Sequence, residues 1–373
     1  MKIIYVVPRL NNAGPINQLY NLISALNYDD CYVKVITMYA ENEDSRWRDF
    51  EKKNISVECL GLKGKLSIFC IGNMLRNKVM YEKPDIIHSE GLPADLAVLF
   101  SRLKDFFWLS TIHCNIYADY KTRFHKWAWI QIFLHRCCMQ KMNKIICCSN
   151  SIKPIYEEEF GNKVISIQNG VFVEHYRVLD NNSVLELRKM LHISTQKKII
   201  LVVGSIDERK NSIFIINNIK EWLRKNKVQL VFLGTGPFEQ ECKKSAEGFD
   251  ILFKGHVENV QDYLKCADAY LSASISEGLP LSVLEAGTYG LELFLSDIEQ
   301  HKEIAMYDGN IGINFFDIND GIKMISILDK LNKQDETLKM KISQYFNKHF
   351  SANTMSEKYY LEYKRISDER GMI

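Results

Sequence analysis

Short runs of apolar residues alternate with longer segments of mixed polarity along the whole chain, and this alternation limits the fold more than any other feature. Such runs, bounded by polar residues, are typical of strands in a parallel sheet that helices cover on both faces. The first half of the chain has them at residues 3–7, 33–38, 86–88, 108–113, 145–148 and 164–168. The second half has them at residues 199–203, 230–233, 251–253, 269–273 and 293–296. Helix-like stretches such as 18–26 and 211–225 lie between the runs, so the sequence predicts an α/β protein.

Two series of strands and helices in one chain indicate two units. A length of 373 residues also exceeds that of a typical single domain. We therefore predict two Rossmann-like domains, the first at residues 1–172 and the second at residues 173–350, with the connection near residues 171–182. The tail at residues 351–373 is charged and has helical periodicity, which predicts one last helix.

The composition restricts the partners and the environment of the chain. A net charge of +2 argues against a nucleic-acid partner on global grounds. Ten cysteines occur without a repeated Cys-x-x-Cys pattern, and no export signal precedes the first predicted strand, so we expect reduced thiols rather than disulfides. No stretch approaches ~18 uninterrupted apolar residues, the length that spans a membrane. These features predict a soluble, cytoplasmic protein.

Glu277 and Glu285 stand eight positions apart in the segment Ser-Ile-Ser-Glu-Gly-Leu-Pro-Leu-Ser-Val-Leu-Glu-Ala at residues 274–286. Pro280 suits the first turn of a helix, where its missing N–H needs no partner. We therefore expect a strand, a tight turn that carries Glu277 and a helix that carries Glu285. Since the N–H groups at a helix start bind phosphate, the segment suits a ligand with hydroxyl groups at both ends and phosphates between them, such as a nucleotide sugar. The alternative is a solvated pair of acids at a helix start.

The stretch Glu-Gly-Leu-Pro-x-Ser-x-Leu-Glu-Ala resembles the Glu-x7-Glu signature of the retaining glycosyltransferases of family 4, which have the GT-B fold. The resemblance implies two Rossmann-like, doubly wound parallel-sheet domains that face each other across a cleft. It also implies that the helix at residues 351–373 crosses back to the first domain. Glu277 would then act at the donor sugar as a catalytic residue, and Glu285 would bind the ribose hydroxyls. The turn residues that complete this part of the donor site are Gly278, Leu279, Pro280 and Leu281.

A loop after residue 203 resembles the loop with which the family holds the donor diphosphate. Lys210 occupies the position of the family's lysine, which the resemblance implies is catalytic. A cation is needed there because negative charge gathers on the leaving group. Ser205 stands where the family usually has arginine, and we predict that Arg209 supplies the missing charge. The alternative is a solvated basic helix start.

Further matches follow in the family's order along the second half of the chain. Gly234 and Gly236 match a Gly-x-Gly-Pro turn of the donor site. A segment with His256 and Val257 resembles the one whose backbone receives the nucleotide base. Residues 296–304 resemble the closing strand and the helix that follows it.

Two residues of the first half resemble substrate contacts of the same family. Gly14 lies in the loop after the first predicted strand, where the resemblance implies an approach to the donor diphosphate, although the family's Gly-Gly pair is Ala-Gly here. His113 ends a predicted strand, at the edge of the sheet where open α/β proteins bind their ligands. The resemblance implies that His113 faces the reacting sugar as a catalytic residue. Cys114 replaces the aspartate that usually follows this histidine. The alternatives are an ordinary turn and an ordinary strand-end histidine.

Residues 121–144 contain several basic residues and no acid, with Phe124, Trp127, Ala128 and Leu134 at helical spacing. This pattern predicts a helix that lies on an anionic membrane surface, with aromatic rings at the level of the headgroups. The alternative is a helix that packs on the core with a solvated basic back.

The resemblance implies a retaining glycosyltransferase that moves a sugar from a nucleotide-sugar donor to a lipid-linked glycan acceptor in the synthesis of bacterial surface polysaccharide. It favours departure and attack on the same face of the sugar over a covalent intermediate. No Asp-x-Asp motif lies beside a suitable strand, so we expect no metal and no cofactor. We expect the protein at the inner face of the cytoplasmic membrane or free in the cytoplasm. The alternative is a non-catalytic protein of the same fold that binds a glycan or a lipid.

Overall fold

The structure is a computed structural model that describes residues 1–26, 29–43, 45–62, 68–172, 179–308, 311–331, 336–369 and 371. The chain divides into two compact units, one of Met1–Val171 with Ala352–Ile373 and the other of Phe172–Ser351. Half of the predicted connection, at residues 173–178, lies outside the described residues, so the predicted boundary at 172 and 173 stays a prediction.

The first unit contains a parallel sheet in the order β3-β2-β1-β4-β5-β6-β7. Its strands are β1 (Lys2–Val7), β2 (Tyr32–Tyr39), β3 (Ser56–Leu62), β4 (Ile86–Glu90), β5 (Phe107–Ile112), β6 (Lys144–Cys147) and β7 (Val164–Ser166). Its first seven helices are α1 (Gly14–Ala25), α2 (Trp47–Lys52), α3 (Ile68–Glu82), α4 (Leu92–Ser101), α5 (Ile116–Phe124), α6 (Ala128–Lys141) and α7 (Lys153–Phe160). The strand order reverses between β1 and β4, and ligands of such sheets bind beside that point at the carboxyl edge.

The second unit contains a parallel sheet in the order β10-β9-β8-β11-β12-β13. Its strands are β8 (Lys198–Val203), β9 (Val228–Leu233), β10 (Ile251–Phe253), β11 (Ala269–Ser272), β12 (Glu292–Ser296) and β13 (Ile313–Phe316). Its helices are α8 (Asn181–Met190), α9 (Ser212–Lys225), α10 (Glu239–Ser245), α11 (Val260–Cys266), α12 (Leu281–Thr288), α13 (Glu299–Lys302), α14 (Gly321–Leu328) and α15 (Glu336–His349). Every predicted apolar run overlaps one of the strands, and four of them extend one or two residues past the strand's end.

The C-terminal helix α16 (Ala352–Glu369) packs on the first unit, although more than 180 residues of sequence separate it from that unit's last strand. The Tyr363 hydroxyl lies 2.5 Å from the Tyr5 hydroxyl of β1 and 2.7 Å from His88 Nδ1 of β4. His88 Nε2 lies 2.8 Å from the Thr111 hydroxyl of β5, and that hydroxyl lies 3.0 Å from the Tyr359 hydroxyl. This buried chain of hydrogen bonds anchors α16 to three neighbouring strands.

The sequence patterns did not indicate two strands, β3 and β13, and both lie at an edge of their sheet. An edge strand pairs on one side, so its side chains are covered less completely than those of an interior strand. Most of β3 and β13 is accordingly half-buried. Polar residues such as Glu58 and Asn314 are tolerated there, and they interrupt the apolar run that marks the interior strands.

Candidate active site

Most of the predicted donor-site residues of the second unit lie in loops at the carboxyl ends of β8, β9, β10 and β11, which are neighbours in the sheet. Parallel strands bring their carboxyl ends to one edge, so residues far apart in sequence meet there. The loop after β8 carries Lys210, and the turn after β11 carries Glu277. The arrangement follows from the strand order rather than from any local pattern.

Glu277 binds both predicted cations of the β8 loop. Its Oε2 lies 2.6 Å from Arg209 Nη1, and its Oε1 lies 2.7 Å from Lys210 Nζ. The Glu277 side chain is 7% exposed. Burial alone would raise the pKa of this carboxyl group, but Lys210 and Arg209 outweigh burial and hold the pKa at about 2. The cluster therefore has two cations for one ionised carboxylate and a net positive charge.

The β8 loop is shaped by its own polar groups. The Lys210 backbone N–H donates to Asp207 Oδ1 over 2.9 Å, and the Ser205 hydroxyl donates to Asp207 Oδ2 over 2.5 Å. Ser205 is thus engaged within the loop, and Arg209 is the arginine that reaches Glu277. Asp207 was not among the predicted site residues. Its position three residues before a loop lysine is the signal that a turn-forming aspartate gives.

Gly234 and Gly236 have a steric role beside the β8 loop. A Cβ atom on Gly234 would lie 2.0 Å from the Gly204 carbonyl oxygen, and one on Gly236 would lie 2.3 Å from the Ile206 carbonyl oxygen. The Gly234 N–H also donates to the Gly255 carbonyl over 2.7 Å. Larger residues would push the β8 and β9 loops apart, so these glycines are needed for the shape of the site whether or not they touch a ligand.

The turn after β11 leads directly into α12. Gly278, Leu279 and Pro280 are buried, Leu281 is the first helical residue, and Glu285 is half-buried one turn further on. Pro280 is the N-cap of α12 and not part of its first turn, so the helix begins one residue later than predicted. Pro280 offers no side-chain cap to the N–H groups at the helix start. These groups are oriented toward any anion that binds at the end of the helix.

His256 and Val257 follow β10, where His256 is exposed and Val257 is half-buried. Gly255, immediately before them, bridges to Gly234 of the β9 loop. The structure therefore brings the predicted base-binding segment to the same sheet edge as the other donor residues.

His301 of α13 is a buried neighbour of the glutamate–cation cluster that the predictions of site residues missed. Its Nδ1 lies 2.9 Å from the Ser296 carbonyl oxygen, an acceptor, so Nδ1 carries the proton. Burial lowers the pKa of His301 to about 4, although the charge of Glu277 opposes that shift. A neutral imidazole therefore stands beside the cluster. The resemblance of residues 296–304 to the family was the signal that could have pointed to it.

In the first unit, His113 follows β5 and contacts Glu90, the last residue of the neighbouring strand β4. His113 Nε2 lies 3.3 Å from Glu90 Oε2. Burial raises the pKa of Glu90, and the contact with His113 opposes that shift. Glu90 was also missed, although its place at a strand end beside the strand of His113 is a signal that the sequence contains.

Gly14 is the first residue of α1, directly after the loop that follows β1. A Cβ atom at Gly14 would meet no atom within 4 Å. The fold of the described residues therefore does not itself require a glycine at this position.

The basic segment forms two helices, α5 and α6, joined by a short 3-10 turn at His125–Trp127. Ala128 is buried and Leu134 is half-buried, so these two residues do not form the exposed surface that the spacing predicted. The exposed apolar residues, which we name the aromatic face, are 37% to 67% exposed and comprise Phe124, Trp127, Trp129 and Phe133. Lys126 lies over the Trp127 ring and Arg123 over the Phe124 ring.

Within the described ranges, no three His, Cys, Asp or Glu side chains come together as metal ligands would. In the same part of the chain, no helix combines the length and the hydropathy of a membrane-crossing segment.

Comparisons with known proteins agree with the order of these elements. The model of "Glycosyltransferase Family 4" matches residues 14–175, and that of "Glycosyl transferases group 1" matches residues 197–326. A UDP-Gal:alpha-D-GlcNAc-diphosphoundecaprenol alpha-1,3-galactosyltransferase of Escherichia coli is 25% identical over 79% of this chain and 78% of its own. The capsular polysaccharide biosynthesis glycosyltransferase CapH of Staphylococcus aureus is 21% identical over 82% of this chain and 84% of its own.

Solved structures share the fold. Anabaena HepE in complex with UDP has a TM-score of 0.80 at 12% identity, over 98% of this chain and 100% of its own. Sucrose-phosphate synthase from Thermosynechococcus elongatus has a TM-score of 0.80 at 14% identity, over 99% of this chain and 100% of its own. The two parallel sheets, the ordered motifs on them and the matching family models confirm the prediction from the sequence, and the chain belongs to the family 4 glycosyltransferases of the GT-B fold.

Proposed function

We propose that this glycosyltransferase moves a sugar, with retention of configuration and without a metal, from a nucleotide sugar to a lipid-linked glycan acceptor in bacterial surface polysaccharide synthesis, whether capsule, O-antigen or exopolysaccharide. The observation that carries the proposal is the cluster of Glu277, Arg209 and Lys210 at the carboxyl edge of the second sheet. It combines an ionised carboxylate with two cations next to a helix start.

The two cations suit the diphosphate of a nucleotide sugar. When the bond between the sugar and the diphosphate breaks, negative charge grows on the leaving group, and preorganised cations stabilise it. Lys210 Nζ and Arg209 Nη1 are already held in place by Glu277, so little reorganisation is needed when the anion arrives. The N–H groups at the start of α12 add to this stabilisation.

The carboxylates suit the hydroxyl groups on either side of the diphosphate. Ionised Glu277 accepts hydrogen bonds from the transferred sugar, and Glu285, one turn into α12, accepts them from the ribose. The segment at His256 and Val257 receives the base through its backbone. In this proposal Gly14 and His113 of the first unit contact the donor and the reacting sugar.

A direct same-face exchange, in which the leaving phosphate deprotonates the acceptor, agrees with the burial of Glu90 in the first unit. A covalent intermediate would need a carboxylate that reaches the anomeric carbon. Glu90, the acid that contacts His113, is 3% exposed and is therefore closed off from a sugar in this structure.

The aromatic face supports a role at a membrane. Aromatic rings beside basic residues bind the headgroup region of anionic bilayers. The name of the Escherichia coli relative contains a diphosphoundecaprenol acceptor, which is a membrane lipid. We propose that this chain works on the inner face of the cytoplasmic membrane, with the aromatic face against the lipid.

Vesicle flotation tests the membrane part of the proposal. We expect wild-type protein to float with anionic vesicles at low salt, and the double variant Trp129→Ala, Phe133→Ala to bind them ~10-fold or more weakly, since each ring buries apolar area in the bilayer. The matched control is Ile322→Ala, which removes an exposed apolar side chain of the second unit. Equal binding by the wild type and the double variant would refute the role of the aromatic face.

Donor binding tests the enzymatic part. Purified protein is tested with UDP-, GDP-, dTDP- and ADP-sugars by ligand-observed NMR and by release of nucleotide, first with UDP-sugars because solved neighbours hold UDP and UDP-glucose. We expect one donor to bind, and Glu285→Ala to abolish its binding. If a folded protein binds no donor, the chain is a non-catalytic binding protein of the same fold.

A further inference from the structure

We propose that Glu90 is a positioning residue for His113, which it holds with the Nδ1 lone pair free to accept a hydrogen bond from a substrate hydroxyl group. This inference rests on the proposed function, since it assumes that His113 meets a hydroxylated substrate. Glu90 lies outside the motifs that resemble the family, and its position determines which ring nitrogen of His113 faces the ligand.

The geometry follows from the pairing of two parallel strands. Glu90 is the last residue of β4 and pairs in register with Thr111 of β5, two residues before His113. The two side chains therefore leave the sheet at its carboxyl edge, and Glu90 Oε2 comes within 3.3 Å of His113 Nε2. A carboxylate accepts hydrogen bonds, so the proton of the neutral imidazole resides on Nε2 and the lone pair on Nδ1.

The burial of Glu90 is not explained by the needs of the fold. Its Oε1 is buried and has no hydrogen-bond partner within the described ranges, and its Oε2 has His113 as its partner. A buried acid with half of its acceptors unused is unfavourable for stability, and such groups are concentrated at functional sites. We infer that the contact with His113 is the reason for a carboxylate at this position.

A second acid–histidine pair of the same unit shows the contrasting, structural arrangement. Both ring nitrogens of His135 have a close polar neighbour: Nδ1 is hydrogen-bonded to the Tyr120 hydroxyl over 2.9 Å, and Asp95 Oδ2 lies 2.9 Å from Nε2, although not in hydrogen-bond geometry. The His135 side chain is almost wholly buried, whereas that of His113 is 15% exposed. Nδ1 of His113 makes no hydrogen bond to any described residue. His113 is thus held at one nitrogen and open at the other, as a ligand contact requires.

The decisive variant is Glu90→Met, which keeps the length of the side chain and removes the acceptor. We expect kcat to fall by ~10- to 100-fold, the usual effect of losing a residue that orients a functional histidine. The KM for the donor should change much less than kcat, and thermal stability should not fall, because an unsatisfied buried acid has been removed. A residue that merely supports the fold would show the opposite result, with stability lost and kcat retained. Glu90→Gln, whose amide oxygen still accepts from Nε2–H, should restore part of kcat.

The ring nitrogens of His113 give a readout that does not depend on activity. With ¹⁵N-labelled histidine, and with His113 assigned by its loss in His113→Gln, the wild type should show the Nε2–H tautomer, and Glu90→Met should shift the population toward Nδ1–H. The control Glu186→Gln, at an exposed glutamate of the second unit, should leave the His113 signals unchanged. If Glu90→Met leaves both the tautomer and kcat as in the wild type, the inference is wrong. If the wild type turns over no donor, the proposed function fails, and the tautomer shift alone decides the role of Glu90.

Discussion

Glu277 and Glu90 are buried glutamates at the carboxyl edges of the two sheets, and their carboxyl groups lie in opposite surroundings. Glu277 of the second unit meets two cations, which hold its pKa at about 2 despite burial. Glu90 of the first unit meets one histidine, and burial raises its pKa. The same residue type at the same topological position is thus a permanent anion in one unit and a less readily ionised group in the other.

The difference indicates two kinds of ligand contact. A cluster with two cations for one anion is suited to a diphosphate, because the cations can turn from Glu277 to the phosphates. An acid–histidine pair with one free ring nitrogen is suited to an uncharged hydroxyl group. Ligands of open α/β sheets bind at the carboxyl edge. Whether the ligand group is a charged diphosphate or an uncharged hydroxyl depends on the cations that the neighbouring loops supply.

The largest expected effect comes from Lys210→Ala, which removes the cation that is most buried in the cluster. We expect kcat/KM for the preferred donor to fall by ~10²- to 10³-fold, the effect of losing one preorganised donor to a developing charge. Steady-state kinetics measure it, and Lys243→Ala, which removes a surface lysine of α10, is the matched control. A change of less than threefold would show that the cluster does not act on the leaving group.

Glu277→Gln tests how much the ion pairs of the same cluster stabilise the fold. The pKa of Glu277 is lowered from 4.5 to about 2, so the ionised group stabilises the fold above pH 4.5, and this part is lost as the pH falls from 4.5 toward 2. This shift in pKa corresponds to a contribution of about 3 kcal/mol to the free energy of unfolding. We therefore expect the variant's free energy of unfolding in urea to fall less with acidification than that of the wild type. Glu186→Gln, at an exposed glutamate, should follow the wild type. If Glu277→Gln follows it too, the ion pairs do not form in solution.

Arg209→Ala tests whether this arginine replaces the one that the family usually has at the position of Ser205. A hydrogen bond to a charged group contributes ~1.5–3 kcal/mol, so we expect donor affinity or turnover to fall by at least ~10-fold. The loss should be smaller than for Lys210→Ala, since the Arg209 side chain is more exposed to solvent. Titrating the donor into Arg209→Ala and Lys210→Ala shows which variant loses more donor affinity. Unchanged turnover together with unchanged donor affinity would refute the replacement.

The smallest effect is expected from Glu90→Gln, and its sign is opposite to that of Glu277→Gln. Because the pKa of Glu90 is raised, the folded protein keeps this proton to higher pH than the unfolded chain does. Stability from this group is therefore full below pH 4.5 and is lost as the pH rises through the raised pKa. The variant should gain stability relative to the wild type between pH 4.5 and neutral pH, which urea unfolding at several pH values measures. Parallel curves would mean that Glu90 is not desolvated in solution.

The interior strands and the donor motif were predictable because their causes are local. An interior strand of a parallel sheet is covered on both faces, so most of its residues are apolar, and the run at Ile199–Val203 appears as plainly in the sequence as on β8 (Lys198–Val203). The turn from Glu277 to Glu285 depends on residues that are neighbours in sequence. The edge strands β3 and β13 lack that complete cover, and their half-polar sequences do not differ from those of loops.

The aromatic face shows where a periodic pattern is insufficient. The prediction from the spacing of residues 121–144 assumed one continuous helix, but α5 ends at Phe124 and α6 begins at Ala128 after a 3-10 turn. The turn changes the direction in which later side chains point. Trp129 and Phe133 are therefore exposed, whereas Ala128 is buried.

The sequence by itself determined the family, the two parallel sheets and the residue types that meet at their carboxyl edges. Tertiary structure alone decided which of these residues are partners: Arg209 and Lys210 with Glu277, across 68 and 67 positions, and Glu90 with His113, across 23 positions. The physical reason is that apolar patterning and turn chemistry act between neighbours in sequence, whereas charge interactions and desolvation depend on distance and burial in space. Two glutamates that look alike in the sequence therefore have pKa values shifted in opposite directions.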